Sequence, residues 1–255
     1  MNYKQYFQYF VLFFNNFGWV RGMSLFVIGD LHLSESVNKP MDVFGPDWEG
    51  HAARLSEGFG RVGPDDTAVL LGDLSWGLKF EEAEADFRFI GNLPGKKIVV
   101  KGNHDTWWDT VSKMERRIAG MGLEPFGFLH NTAFLCEDFV LCGTRGWFYE
   151  EERGGEHDRK MLARELCRLR ASLERGAALK PGAEPLCFLH YPPLYEGYRC
   201  DGIVDMLNEF GVKRCYYGHL HGHGRARAIE GPYKGIEYAL ASADHLGFVP
   251  LEIRK

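Results

Sequence analysis

Asp30-Leu31-His32, Gly72-Asp73, Gly102-Asn103-His104-Asp105, His190 and Gly218-His219-Leu220-His221 are five short polar clusters, each placed where an apolar, strand-like run stops. Together they offer carboxylate oxygens, an amide oxygen and the imidazoles of His32, His190, His219 and His221. This mixture of oxygen and nitrogen donors suits Mn, Fe, Zn, Co or Ni better than Ca, which prefers oxygen alone. The donors are too many for one ion. Two ions sharing a bridging carboxylate use them all, as in two-metal hydrolytic centres with ions about 3.5–4 Å apart. In an extended strand, residues i and i+2 share a side, so Asp30 with His32, and His219 with His221, are expected to face a common cation as the chain leaves its sheet.

The elements that must carry these groups are legible as alternating patterns. Residues 25–29, 67–71 and 98–101 are short apolar runs that read as buried strands, and residues 50–62 and 80–92 have the apolar spacing of crossover helices, so the first half is βαβαβ. A helix over 107–121 is expected to start directly after the Gly-Asn-His-Asp cluster, with Asp105 as its N-cap. Residues 133–142 read as a hairpin around Glu137-Asp138, and 158–175 as a long charged amphipathic helix. Further strands are expected at 185–189, 213–217, 236–242 and 247–253, with a helix near 202–210. The clusters thus sit at strand C-terminal ends, the usual ligand edge of an α/β sheet. The pattern predicts one α/β domain over residues 23–255, built from two packed sheets with outer helices.

Composition excludes some functions. The 255 residues are 45% hydrophobic and 25% charged, ordinary for a soluble globular chain, and the net charge of −5 leaves no strong nucleic-acid signal. Six cysteines without a CxxC pair read as buried free thiols, which fits a reducing, cytoplasmic setting. The apolar run near residues 9–14 is interrupted by Asn15 and Asn16 and is too short for a membrane span. Residues 1–22 are therefore expected to be a non-core extension, disordered or upstream of a true start at Met23.

The ordered series D-x-H, G-D, G-N-H-D, H and G-H-x-H, spread from Asp30 to His221, resembles the calcineurin-like metallophosphoesterase superfamily. The resemblance implies a four-layer αββα sandwich of two mixed sheets and two divalent metal ions, of which Mn, Fe, Zn and Ni are candidates. It implies Asp30, His32 and His221 as ligands of one metal, Asn103, His190 and His219 as ligands of the other, and Asp73 as the bridge. It makes His104 the histidine beside the substrate phosphate and Asp105 the acid that orients it. The implied reaction is hydrolysis of a phosphomonoester or phosphodiester by a hydroxide that bridges the two metals.

A small phosphorylated substrate is expected, with a nuclease or a catalytically silent binding module on the same fold as the alternatives. Arg145, Trp147, Trp107, Tyr191 and His223 are the expected substrate contacts: Arg145 for a phosphate, the aromatic residues for stacking, and His223 on the face that His221 begins.

Overall fold

Strand by strand, alternate residues fall into different apolar layers, and that alternation dictates the architecture. The computed structural model describes residues 22–148 and 155–254; of the expected N-terminal extension, all but Gly22 lies outside the described residues. In β1 (Leu25–Ile28) and β2 (Thr67–Leu70), Phe26, Ile28, Ala68 and Leu70 face one apolar layer, while Leu25, Val27 and Val69 face another. These strands pair in parallel with each other and with β3 (Lys96–Val100) and β4 (Gly127–Leu129), and β13 (Leu251–Ile253) closes the far edge antiparallel, giving the order β13-β1-β2-β3-β4.

The second sheet has the order β11-β12-β10-β7-β6-β5. Its parallel centre comprises β6 (Phe139–Thr144), β7 (Glu184–Leu189), β10 (Arg214–Tyr217) and β12 (Ile236–Leu240), and its antiparallel edges are β5 (Ala133–Cys136) and β11 (Gly231–Tyr233). A separate ribbon pairs β8 (Leu194–Tyr195) with β9 (Tyr198–Arg199).

Three apolar layers make the four-layer αββα sandwich. Helices α1 (His51–Gly58), α2 (Phe80–Asn92) and α3 (Val111–Gly120) set Leu55, Phe87 and Met114 on the outer face of the first sheet. Helices α4 (Glu156–Leu179) and α5 (Asp201–Glu209) set Leu169, Leu173, Val204 and Leu207 on the outer face of the second. Between the sheets, Leu25, Val27, Val69 and Val100 meet Phe139, Leu141, Phe188 and Tyr216.

Several expectations change. The helix expected from residue 107 begins at Val111 with Thr110 at its N-cap, because Asp105 is engaged elsewhere. The three-residue β4 lacks the length for a periodic signal, and the last strand shrinks to Leu251–Ile253 as Phe248 turns the chain at φ 66°. All six cysteines are free, but Cys167 is exposed on α4. Among the described residues, no helix is long and apolar enough to cross a membrane.

Phe188 is fully buried in the inter-sheet layer and stacks on Tyr216 with ring centroids 5.5 Å apart. Phe188→Ala is expected to cost about 3–5 kcal/mol, read as a lowered urea midpoint; a loss below about 1 kcal/mol would show that this layer does not hold the sheets together.

Candidate metal centre

The donor residues leave their strands through left-handed turns. Asp30, His32, Asp73 and His219 have φ of 55°, 47°, 50° and 70°, so the extended i, i+2 geometry expected for Asp30 with His32 and for His219 with His221 does not hold. A left-handed non-glycine residue costs roughly 1–2 kcal/mol, and pairing that continues beyond the strands offsets it. Asp30 N–H donates to Gly72 O at 2.9 Å, His32 N–H to Asp73 O at 2.9 Å, and Gly218 N–H to His190 O at 3.1 Å. At Gly72, with φ 87°, a Cβ would overlap the backbone of Gly102, so the loops after β2 and β3 lie backbone against backbone.

These loops bring together two donor groups, Asp30 with His32 and His221, and Asp73 with His190 and His219. Within each, the ligand atoms lie within 4.8 Å of one another. His32 Nε2 and His221 Nε2 face each other at 3.2 Å. Asn103 Oδ1 lies 2.7 Å from His190 Nε2 and 2.8 Å from His219 Nδ1. Since His190 Nδ1 donates to the Leu71 carbonyl at 2.8 Å, a neutral His190 turns the lone pair of Nε2 toward the amide oxygen of Asn103. Two acceptors aimed at each other at that distance suit a cation between them.

Asp73 joins the two groups. One of its oxygens accepts the His104 N–H at 2.8 Å, while Oδ2 is buried without a hydrogen-bond partner among the described residues, 3.6 Å from His190 Nε2 and 4.0 Å from His32 Nε2. An unpaired buried carboxylate oxygen is costly, and a metal ion is the partner that fits its surroundings. Asp30 takes the same place on the other side, accepting from Ser242 Oγ at 2.8 Å and from the His219 amide.

Burial governs the electrostatics. It pushes Asp30 up to about 8 and Asp73 well above the ordinary carboxylate range, with Asp105 adding its negative charge at Asp73. The imidazoles move the other way: burial holds His32 and His190 well below the usual value and His219 at about 3, and neighbouring histidines add to each. Neutral imidazoles with inward lone pairs and carboxylates that resist ionisation in isolation are what a cation stabilises.

Asp105 differs from the expectation that it orients His104. Its oxygens accept backbone N–H groups from Asp73 at 2.9 Å, Leu74 at 2.9 Å and Gly102 at 2.6 Å, which ties the β2 loop to the β3 loop. His104 is instead set by ring packing, 4.5 Å from Trp76 and 5.7 Å from His32.

The sequence model for calcineurin-like phosphoesterases matches residues 23–223. The chain belongs to the calcineurin-like phosphoesterase family. It is similar in fold to the phosphopantetheinyl hydrolase of Mycobacterium tuberculosis, at 14% identity and a TM-score of 0.53 over 87% of this chain and 89% of that one. A protein of unknown function from Aquifex aeolicus aligns at 15% identity and a TM-score of 0.45 over 91% of this chain and 96% of that one. No curated protein sequence matches the chain.

The expected substrate contacts of this family member divide. Tyr191 packs at 4.5 Å on His219 and 5.3 Å from Trp147, beside the donors. Trp107, however, is 3% exposed in the outer layer of the first sheet, edge-on to Phe87, so it is core and not a substrate contact. His223 points into solvent on the turn after His221. Arg145 is directed at Glu165 and Trp147.

Other contributors lie outside the ordered motif series, Trp76 shortly after its Gly72-Asp73 element. Trp76 stacks on His32 at 4.6 Å, and Trp48, 1% exposed, lies edge-on to His32 and His221, so aromatic walls desolvate that donor group. His51 packs edge-on to Trp48 with ring centroids 5.6 Å apart, behind the same donor group. Asp244 accepts the Gly222 N–H at 2.7 Å, fixing the loop that follows His221.

The raised carboxylates give the metal-free protein a signature. Above about pH 7.5 the histidines are largely neutral whether folded or not, but Asp30, raised to about 8 in the fold, still holds much of a proton that the unfolded chain has already lost. Metal-free stability should therefore fall as pH rises from about 7.5 to 8.5, by up to about 1.4 kcal/mol per pH unit per retained proton. Asp30→Asn should flatten that slope; an equal slope in the variant, followed by thermal unfolding in chelator, would assign the effect to another group.

Because Asp105 ties two loops together, Asp105→Asn, which turns an amide against backbone donors, should lower Tm and weaken binding of Mn measured by titration. Metal binding equal to the unsubstituted protein would show that the loops hold without it.

Proposed function

We propose that the chain hydrolyses a phosphomonoester or phosphodiester of a small molecule, using two divalent cations. The reading is carried by Asp73 Oδ2, a buried carboxylate oxygen without a hydrogen-bond partner among the described residues that faces both His190 and His32, as a shared ligand of two ions should. Asp30, His32 and His221 would hold one cation and Asn103, His190 and His219 the other, with Asp73 between them. When bound, divalent cations lower the pKa of a coordinated water and take up charge from phosphoryl oxygens.

The chain's own groups supply the rest. Backbone and side-chain bonds around Asp30, Asp73 and His190 hold the donors in place before substrate arrives, so little reorganisation accompanies the reaction. His104 is half-buried and its pKa is lowered, first by burial and then by Lys39 and His221. It remains a neutral imidazole, whose N–H can donate to a phosphoryl or leaving-group oxygen as charge develops there. Trp76 and Trp48 keep water from the His32 side of the site.

The test is a metal-supplemented assay with p-nitrophenyl phosphate and bis-p-nitrophenyl phosphate in Mn, Ni, Fe or Zn. Turnover is expected with at least one metal, abolished by chelator and by Asp73→Asn. His104→Ala should keep its metal content while kcat falls roughly 10²–10⁴-fold. No turnover in any metal, with the metal bound, would turn the reading to a silent binding module.

A further inference from the structure

A second cluster of charged groups lies further along the same edge of the sandwich. The donors follow β1, β2 and β3 in the first sheet and β7 and β10 in the second. Lys101 follows β3, His130 follows β4 and Arg145 follows β6. In the strand order, β4 is the next strand after β3 and β6 the next after β7, so the cluster sits one or two strand spacings from the donors, at about 4.8 Å per spacing. Arg145 lies within electrostatic reach of His190, and its carbonyl accepts the Tyr191 N–H at 2.8 Å.

The cluster is not balanced in itself. His130 lies within reach of Lys101, Arg145, Arg168 and Glu165, and Lys101 also within reach of Asp105, which makes three cations against two carboxylates. Glu165, 1% exposed, accepts from Thr144 Oγ1 at 2.6 Å, pairs with Arg168 and lies 3.7 Å from Arg145 Nη2. Arg145 Nε, His130 Nδ1 and Trp147 Nε1 are all buried without a hydrogen-bond partner among the described residues. The Arg145 guanidinium stacks 4.7 Å over the Trp147 ring, which holds its planar fork in one orientation. Buried unpaired donors beside surplus positive charge are satisfied by an anion, and a fixed guanidinium matches carboxylate or phosphate oxygens.

We propose that Lys101, Arg145 and Arg168, with the unpaired ring nitrogens of His130 and Trp147, form a second anion subsite, so that the preferred substrate is a phosphoester bearing another carboxylate or phosphate within about 5–10 Å of the scissile phosphorus. Glu165 is a positioning residue that holds both arginines. The substrate class rests on the hydrolytic reading above, whereas the subsite itself can be tested by binding alone.

The probes are phenylphosphonate and 3-carboxyphenylphosphonate, which share a metal-binding end and differ by one carboxylate. In calorimetric titration of the full-length, Mn-loaded protein, the carboxylated probe should bind roughly tenfold tighter. Arg145→Met should shrink that ratio to within about twofold, as should Arg168→Met at a more exposed position that tolerates the change. Lys113→Met, on the exposed face of α3, should leave it unaltered. Equal affinity of the two probes for the unsubstituted protein, or a ratio that survives both arginine variants, overturns the subsite. A retained preference without turnover of any phosphoester would overturn the hydrolytic reading and leave the subsite standing.

Discussion

Everything at the working edge depends on burying Asp30 and Asp73 where the two sheets meet. A carboxylate removed from water resists ionisation unless a cation or several donors face it, and Asp73 keeps one oxygen with no hydrogen-bond partner among the described residues. The apolar layer between the sheets makes that burial unavoidable, because Leu71 and Val100 run directly into the loops that carry Asp73 and Asn103. The fold thus holds a site that is electrostatically incomplete by itself.

Much of the remaining local structure can be understood as support for that burial. Three backbone N–H groups converge on Asp105, and Gly72 and Gly102 allow their two loops to touch. His190 reaches from the second sheet to the Leu71 carbonyl of the first, and the His219 amide reaches the Asp30 carboxylate. Backbone bonds from Gly29 to Ala241 and from Ala243 to Gly29 join the ends of β1 and β12 in the same way. The donors therefore sit at a seam held by hydrogen bonds from both sides, and left-handed residues persist there because their surroundings leave them no relaxed alternative.

Charge changes sign along the edge. At the donors, buried acids and neutral imidazoles create a demand for cations; around β4 and β6, Lys101, Arg145 and Arg168 outnumber Glu165 and Asp105. A molecule lying across this edge meets both environments. Aromatic rings wall each, Trp48 and Trp76 beside His32, and Trp147 beneath Arg145.

Motif spacing and alternation alone determined the two-sheet layering, the crossover helices and the family, because those signals are local or survive as an ordered series of short clusters. The residues from Asp30 to His221 could be grouped before any coordinates, although the geometry assumed for the i, i+2 pairs failed once left-handed turns replaced extended chain. Tertiary structure alone decided what the other residues do. Trp107 and Trp76 are indistinguishable as tryptophans following polar loops, yet one packs against Phe87 in the core and the other stacks on His32. Asp105 reads as a helix cap or a histidine partner until the loops that converge on it are placed. The cluster around Arg145 draws on residues as far apart in the chain as Lys101, His130, Trp147 and Arg168, and the packing of α4 against β6 helps bring them together. The physical reason is the same in each case: residue type and spacing specify which chemistry is present, but burial and the identity of a partner across the sheet specify what it is for.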